Sequence, residues 1–181
     1  MIYLFLAEGF EECEALAPLD ILRRANIEIK TVGIGGKIIT GSHGIKISAD
    51  LDEKEILLND ELKGIILPGG MPGTLNLEKS ETVQKAVDFC YKNNLLLSAI
   101  CAAPLILGHK EILKGKNATC FSGFERELYG ANIQNLPVAL DENIITAYGA
   151  GAAFEFGFEL LKYLTTEEIS ENMKKQMRYL G

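Results

Sequence analysis

The stretch Leu95-Leu96-Leu97-Ser98-Ala99-Ile100-Cys101-Ala102-Ala103-Pro104 decides how the chain is read. Residues 95–100 are almost wholly apolar and show no period-2 alternation, as expected of a strand buried on both faces of a parallel sheet. Pro104 suits the first turn of a helix, where its missing N–H costs nothing. Strand, tight corner and helix in this order make a nucleophile elbow. Such a strained turn tolerates little side-chain volume around the nucleophile, and alanines stand at both small positions, 99 and 103, around Cys101.

Two further runs, residues 2–7 and 62–67, have the same apolar character. Between and after them lie helical patterns. Val83, Ala86, Val87 and Cys90 fall at i, i+3, i+4 and i+7, with Ser80 as N-cap and Glu81 in the first turn. Thr166 can cap a helix carrying Ile169, Met173 and Met177 on one stripe, with Glu167 and Glu168 at its positive end. Strand and helix in alternation predict an α/β, doubly wound, mostly parallel sheet with helices on both faces. Residues 37–40 and 45–48 read as a hairpin excursion, and 138–140 with 144–147 as a second hairpin-like pair. No repeat or linker interrupts the chain, so residues 1–181 are expected to form a single domain.

Composition narrows the function. With a net charge of −7 and no cluster of Lys or Arg, the chain cannot neutralise a phosphate backbone, so nucleic acid is not expected as a partner. An anionic membrane surface is disfavoured for the same reason. Residues 1–7 lack the basic n-region of a signal peptide, and no apolar run is long enough to span a bilayer. Cys13, Cys90, Cys101 and Cys120 form no CxxC pair and no zinc-ligand spacing with His43 and His109, so no metal is expected, and the sequence carries no phosphate-binding fingerprint, so no organic cofactor is expected either. Unpaired thiols of this kind suit a reducing, cytoplasmic location.

Ligands of open α/β sheets lie beyond the carboxyl ends of the strands. Four such ends carry unusual residues: Glu8 to Glu14, Pro68-Gly69-Gly70, Cys101, and Tyr148-Gly149-Ala150-Gly151. The elbow puts the Cys101 sulfur at a helix N-terminus, which favours thiolate, so its pKa is expected below the ~8.5 of a free thiol. The N–H of Ala102, with that of Gly69 or Gly70, can form an oxyanion-type pocket. Glu14 stands in a crowd of carboxylates with Glu11 and Glu12. Burial of one of them raises its pKa and leaves a proton to offer a neighbouring thiolate. The plain alternatives are that Cys101 is one more small core residue and that the three glutamates are a solvated loop.

Taken together these residues resemble the DJ-1/ThiJ/PfpI family, in its DJ-1-like branch. The resemblance rests on five ordered motifs. Gly9-Phe10-Glu11-Glu12-Cys13-Glu14 and Asp20-Ile21-Leu22-Arg23-Arg24-Ala25 come first, then Ile66-Leu67-Pro68-Gly69-Gly70. Ala99-Ile100-Cys101-Ala102-Ala103-Pro104 and Gly149-Ala150-Gly151-Ala152-Ala153-Phe154-Glu155-Phe156 complete the order. The resemblance implies a flavodoxin-like fold, a homodimer, and an oxidation-prone Cys101 hydrogen-bonded by a protonated Glu14. It also implies that the loop holding His43 can approach the partner's site. The chain departs from the family in places. Phe121, in the strand expected over residues 117–122 after the elbow helix, stands where several members carry a histidine, Ala102 where peptidase-like members carry one, and Tyr148 and Ala150 where the best-known members have Arg and Pro.

Two functions follow from the resemblance. One is cofactor-independent, glyoxalase-like or deglycase-like handling of a small reactive carbonyl such as methylglyoxal, with Cys101 and Glu14 catalytic and activity altered by Phe121. The other is a non-enzymatic redox sensor or chaperone acting in oxidative stress through Cys101. A cysteine peptidase or amidotransferase is disfavoured, because neither histidine is placed for a Cys–His pair. Cys90, on the apolar stripe of its helix, reads as core. His109 reads as surface or C-cap, and Phe154, Phe156 and Phe158 as part of a buried helix.

Overall fold

In a computed structural model describing residues 1–180, the seven-stranded main sheet follows from the apolar runs. Strand β1 (Ile2–Leu6) leads into helix α1 (Glu12–Arg24) and strand β2 (Ile29–Gly33). The hairpin β3 (Ile38–Thr40) and β4 (Lys46–Ser48) stands outside the main sheet, and the short β5 (Leu51–Asp52) rejoins it beside β2. Then come β6 (Gly64–Leu67), α2 (Gly73–Lys79), α3 (Glu81–Lys92), β7 (Leu96–Ile100) and α4 (Pro104–His109). Strand β8 (Asn117–Ala118) pairs only with β9 (Asn132–Ile133), and β10 (Val138–Asp141) and β11 (Ile144–Ala147) form the last hairpin. Helices α5 (Ala153–Leu164) and α6 (Glu167–Gln176) close the chain.

The main sheet runs β10-β11-β7-β6-β1-β2-β5, with every pair parallel except the edge pair β10–β11. Strand alternation divides the core between two faces. Tyr3, Phe5, Ile65, Leu67 and Leu97 pack with Val83, Val87 and Cys90 of α3 and with Leu105 and Ile106 of α4. Ile2, Leu4, Leu6 and Ile66 pack with Ile21 and Leu22 of α1 and with Phe156 and Leu160 of α5. Buried on both faces, the central strands have no polar side to show, which is why their sequences read as nearly continuous apolar runs. Among the described residues no helix is long and apolar enough to cross a membrane.

Both expected caps form: the Ser80 side chain accepts from Val83 N–H and the Thr166 side chain from Ile169 N–H. Two expectations need correction. The stretch 117–122 is a strand only at Asn117 and Ala118. Beyond them Thr119 N–H donates to Thr146 Oγ1 (2.9 Å) and Phe121 N–H to the Cys101 carbonyl (2.8 Å), drawing the chain across the end of the sheet. On α6, Met173 is buried as expected, but Ile169 is exposed and Ser170 is buried in its place, its Oγ donating to the Phe158 carbonyl at 2.8 Å.

Candidate functional site

Four loops leave the carboxyl ends of β1, β6, β7 and β11 and meet at Cys101. At the elbow Cys101 has φ +66°, a left-handed conformation that costs a non-glycine residue about 1–3 kcal/mol. It is fixed on both sides: Cys101 N–H donates to the Ala147 carbonyl (2.9 Å), and the Cys101 carbonyl accepts from Phe121 N–H. Pro104 opens α4 at its first turn. Strain of this kind persists only where its surroundings over-determine it, and here it turns the sulfur toward the neighbouring loops.

Glu14 faces that sulfur. Glu11 caps α1, its Oε2 accepting from Glu14 N–H at 2.7 Å, and the first helical turn drops the Glu14 side chain into the sheet's end, fully buried. Its Oε2 accepts from Gly69 N–H at 2.9 Å; the carboxyl also accepts from Ala150 N–H and is hydrogen-bonded to the Cys101 thiol. Burial pushes this carboxyl up to about 7 from an ordinary 4.5. The three hydrogen bonds oppose that shift, and the neighbouring charge of Glu11 adds to it. Burial, then the charge of Glu14 and its hydrogen bond, push the Cys101 thiol up to about 12, while the N–H groups of Ala102 and Gly70 pull it down.

The expectation of a depressed thiol is therefore corrected in the state where Glu14 is ionised. It counted the helix terminus and left out desolvation. Two buried groups in hydrogen-bonding contact titrate as a pair. Between about pH 7 and 12 they hold one proton between them, and the thiolate exists in the form where Glu14 carries it. Gly70 and Ala102 direct their N–H groups at the sulfur in that form. Gly69 does not share the oxyanion role considered for it, since its N–H is held by Glu14.

The other flagged residues separate cleanly. Cys13 is exposed on α1, Cys90 is buried in the core under α3, and Cys120 is buried beside Phe121. Burial holds Cys90 at about 12, and burial followed by the charge of Glu125 holds Cys120 at about 11. His109 ties α4 to two other segments, through Nδ1 to Glu78 of α2 and Nε2 to Glu127 at 2.9 Å. Phe154 is exposed, whereas Phe156 and Phe158 are core.

Two contacts were not foreseen in the sequence. The Ala150 N–H reaches Glu14, although the glycine-rich turn around it gave a signal. Glu12 and His43 pair within the chain: His43 Nδ1 lies 2.8 Å from Glu12 Oε2, and His43 N–H donates to Glu12 Oε1 at 2.8 Å. With Glu11 they bring possible ligand atoms within 4.8 Å, the one such trio among the described residues. The Glu12 oxygens and His43 Nδ1 that a cation would need are already hydrogen-bonded to each other.

This pair sets a pH window. Hydrogen bonds from His43 and the Ile45 N–H outweigh burial and hold Glu12 at about 2, below its ordinary 4.5, while His43 is raised above 6.5 chiefly by its bond to Glu12. Stability from Glu12 is present above pH 4.5 and lost as the pH falls toward 2. Stability from His43 is present below pH 6.5 and lost as the pH rises through its higher folded value. The Tm difference between wild type and His43→Ala should therefore be largest between about pH 4.5 and 6.5 and shrink on both sides. A flat difference from pH 3 to 9 would show that the pair contributes nothing through charge.

A model of the DJ-1/PfpI family matches residues 1–163 of the chain. The protein dj-1beta of Drosophila melanogaster is 30% identical over 173 residues, covering 94% of this chain and 92% of that one. The glutathione-independent glyoxalase DJ-1 of Schizosaccharomyces pombe is 32% identical over 177 residues, covering 92% of each. Among solved structures, oxidized Toxoplasma gondii DJ-1 superposes with a TM-score of 0.94 at 26% identity, covering 99% of this chain and 98% of that one. The flavodoxin-like α/β architecture is shared with these relatives.

Proposed function

The chain belongs to the DJ-1/PfpI family, and from that membership we propose that it converts 2-oxoaldehydes to 2-hydroxy acids without metal, glutathione or other cofactor. The observation that carries this reading is the buried Glu14 carboxyl, held at about 7 and hydrogen-bonded to Cys101. A group half-protonated near neutrality accepts and returns a proton with little penalty either way, which is what moving hydrogen between adjacent carbons requires.

In the proposed cycle Glu14 holds the pair's proton and the Cys101 thiolate adds to the aldehyde carbon of methylglyoxal. The new alkoxide, formed where the N–H groups of Gly70 and Ala102 can stabilise it, takes the Glu14 proton and leaves Glu14 as the carboxylate. The Glu14 carboxylate removes the hydrogen from that carbon, giving an enediolate, and delivers it to the adjacent carbon, while the hydroxyl proton passes from the first oxygen to the second. The first carbon is thereby oxidised to a thioester and the second reduced to an alcohol. Water cleaves the thioester, lactate leaves and the Cys101 thiol is restored; the sum is methylglyoxal plus water to lactate plus a proton. Loss of methylglyoxal with matching lactate, at the same rate with and without glutathione and abolished in Cys101→Ala, is the expected result. No lactate from wild type overturns the reading.

The reading competes with a redox role, for which the same half-buried thiol is the support. The relative solved in an oxidized form belongs to the same family. A chain that forms no lactate but whose Cys101 is converted by peroxide to a sulfenic or sulfinic acid ahead of Cys13 meets that second description.

A further inference from the structure

A cavity of about 450 Å³ opens beside the elbow, within the ~300–1,000 Å³ range of small-molecule sites. Its walls include the rings of Phe121 and Tyr148, and Ile133; Cys120 lies in its lining, with Glu125 and Gln134 among its polar residues. Phe121, Tyr148 and Ile133 are all well exposed to solvent, at 51%, 41% and 44%, although large apolar side chains gain by burial.

The cavity is coupled to the reacting pair through backbone. Phe121 N–H is hydrogen-bonded to the carbonyl of Cys101, so the cavity wall begins at a residue bonded to the nucleophile's own peptide. The Phe121 ring lies over Gly149, where a Cβ would come 3.2 Å from Cδ2, and the next residue, Ala150, donates to Glu14. Tyr148 precedes that turn. Cys101 itself is not in the lining, but Phe121 is bonded to its carbonyl and Tyr148 follows Ala147, which is bonded to its N–H, so a substrate that reaches from Cys101 into the cavity meets two aromatic residues. Methylglyoxal carries only a methyl group on its second carbonyl and leaves the rings in water.

We propose that this cavity seats the substrate's side group, and that the substrates are neutral, aryl-substituted 2-oxoaldehydes. The inference rests on the carbonyl reaction proposed above and adds the substrate class. Aromatic rings favour offset or edge-on contact with another ring. Glu125 is the one charged residue of the lining and is acidic, and the chain's net charge is −7, so carboxylate- or phosphate-bearing aldehydes are disfavoured. Gln134 offers an amide to a hydroxyl or ether on the aryl group.

The test compares kcat/KM for phenylglyoxal and for methylglyoxal in wild type, Phe121→Leu, Phe121→Ala and Tyr148→Ala. The wild-type ratio should favour phenylglyoxal by about tenfold or more. Phe121→Leu, which keeps apolar bulk without a ring, should lower the ratio severalfold, and Phe121→Ala about tenfold. A wild-type ratio near one, or a ratio unmoved in all three variants, overturns the substrate class while leaving the carbonyl reaction standing. If neither aldehyde is turned over, the carbonyl reaction fails, and the cavity is judged separately with acetophenone, an unreactive aryl ketone. Acetophenone should shift the NMR signals of the Ile133 methyl groups and the Cys120 and Gln134 amides in wild type, and much less in Phe121→Ala. Absence of those shifts in wild type overturns the aryl site itself.

Discussion

Glu14→Gln should lower 2-oxoaldehyde turnover by about a hundredfold to ten-thousandfold while making Cys101 more reactive toward iodoacetamide. The two effects run in opposite directions because Glu14 plays two parts. Glutamine keeps the local hydrogen bonds: its Oε1 can accept from Gly69 and Ala150 N–H, and its amide can donate to sulfur. It has no proton to exchange, so hydrogen transfer between carbons stops. It also has no charge. The carboxylate charge and its hydrogen bond are, after burial, the largest influences pushing the thiol toward 12, so removing them lets the thiol ionise at lower pH. Alkylation rate against pH, mapped to the Cys101 peptide, reads the second effect and lactate formation the first. An unchanged thiol pKa would sink the pairing, and retained turnover would sink the proton-transfer role.

The same substitution has a stability signature. In the folded chain Glu14 keeps its proton up to about pH 7, but in the unfolded chain only to about 4.5. Its burial is therefore tolerated fully below pH 4.5 and destabilises increasingly as the pH rises through 7, by on the order of 3 kcal/mol. Glutamine does not titrate. The Tm advantage of Glu14→Gln over wild type should grow between pH 4.5 and 7 and level off above it. No growth across that interval would place the Glu14 carboxyl in solvent.

The central strands could be read from the sequence because burial on both faces leaves few polar residues to blur the pattern, as at Leu96, Leu97, Ala99 and Ile100, where the one polar residue, Ser98, is buried and donates to the Ile65 carbonyl. Cys101 stood out for a related reason: the corner between strand and helix leaves room only for small neighbours. What could not be read depends on contacts between residues far apart in the chain. The strand expected through residue 122 stops at Ala118 because Thr146 and Cys101 accept the next N–H groups, and neither partner is local. Gly69 and Gly70 looked equivalent as donors, yet one N–H goes to Glu14 and the other to sulfur. Glu11, Glu12 and Glu14 differ only in helical position. That difference makes the first a cap, the second the partner of His43 and the third the buried neighbour of the thiol. The direction of the Cys101 shift was missed for the same reason, since how deeply a sulfur lies beneath three loops is not written in its neighbours along the chain.

Gly70→Ala should cost about 3 kcal/mol or more and disable the site, although Gly70 has no side chain to lose. Gly70 has φ +90°, and a Cβ built there would stand 2.4 Å from Glu11 N, 2.5 Å from the Gly9 carbonyl and 2.7 Å from the Phe10 carbonyl carbon. All three atoms are backbone, so no rotamer change relieves the contact. The loops after β1 and β6 are laced together here, with Glu11 N–H donating to the Gly69 carbonyl (2.9 Å) and Gly73 N–H to the Gly9 carbonyl (3.2 Å). A methyl group must part them. Parting them moves Glu11 and the first turn of α1, and with it Glu14, while carrying the Gly70 N–H off the sulfur. For a domain of this length the penalty corresponds to a Tm lower by about 6–12 °C. Gly35→Ala is the control: φ is +85° there too, yet nothing lies within 4 Å of the added carbon, so only the backbone strain of about 1–2 kcal/mol remains. Thermal unfolding of both variants, with the Cys101 alkylation rate measured below the transition, separates strain from loop contact. If Gly70→Ala loses no more than Gly35→Ala and alkylates as wild type does, the close approach of these two loops is not what holds Glu14 against the thiol.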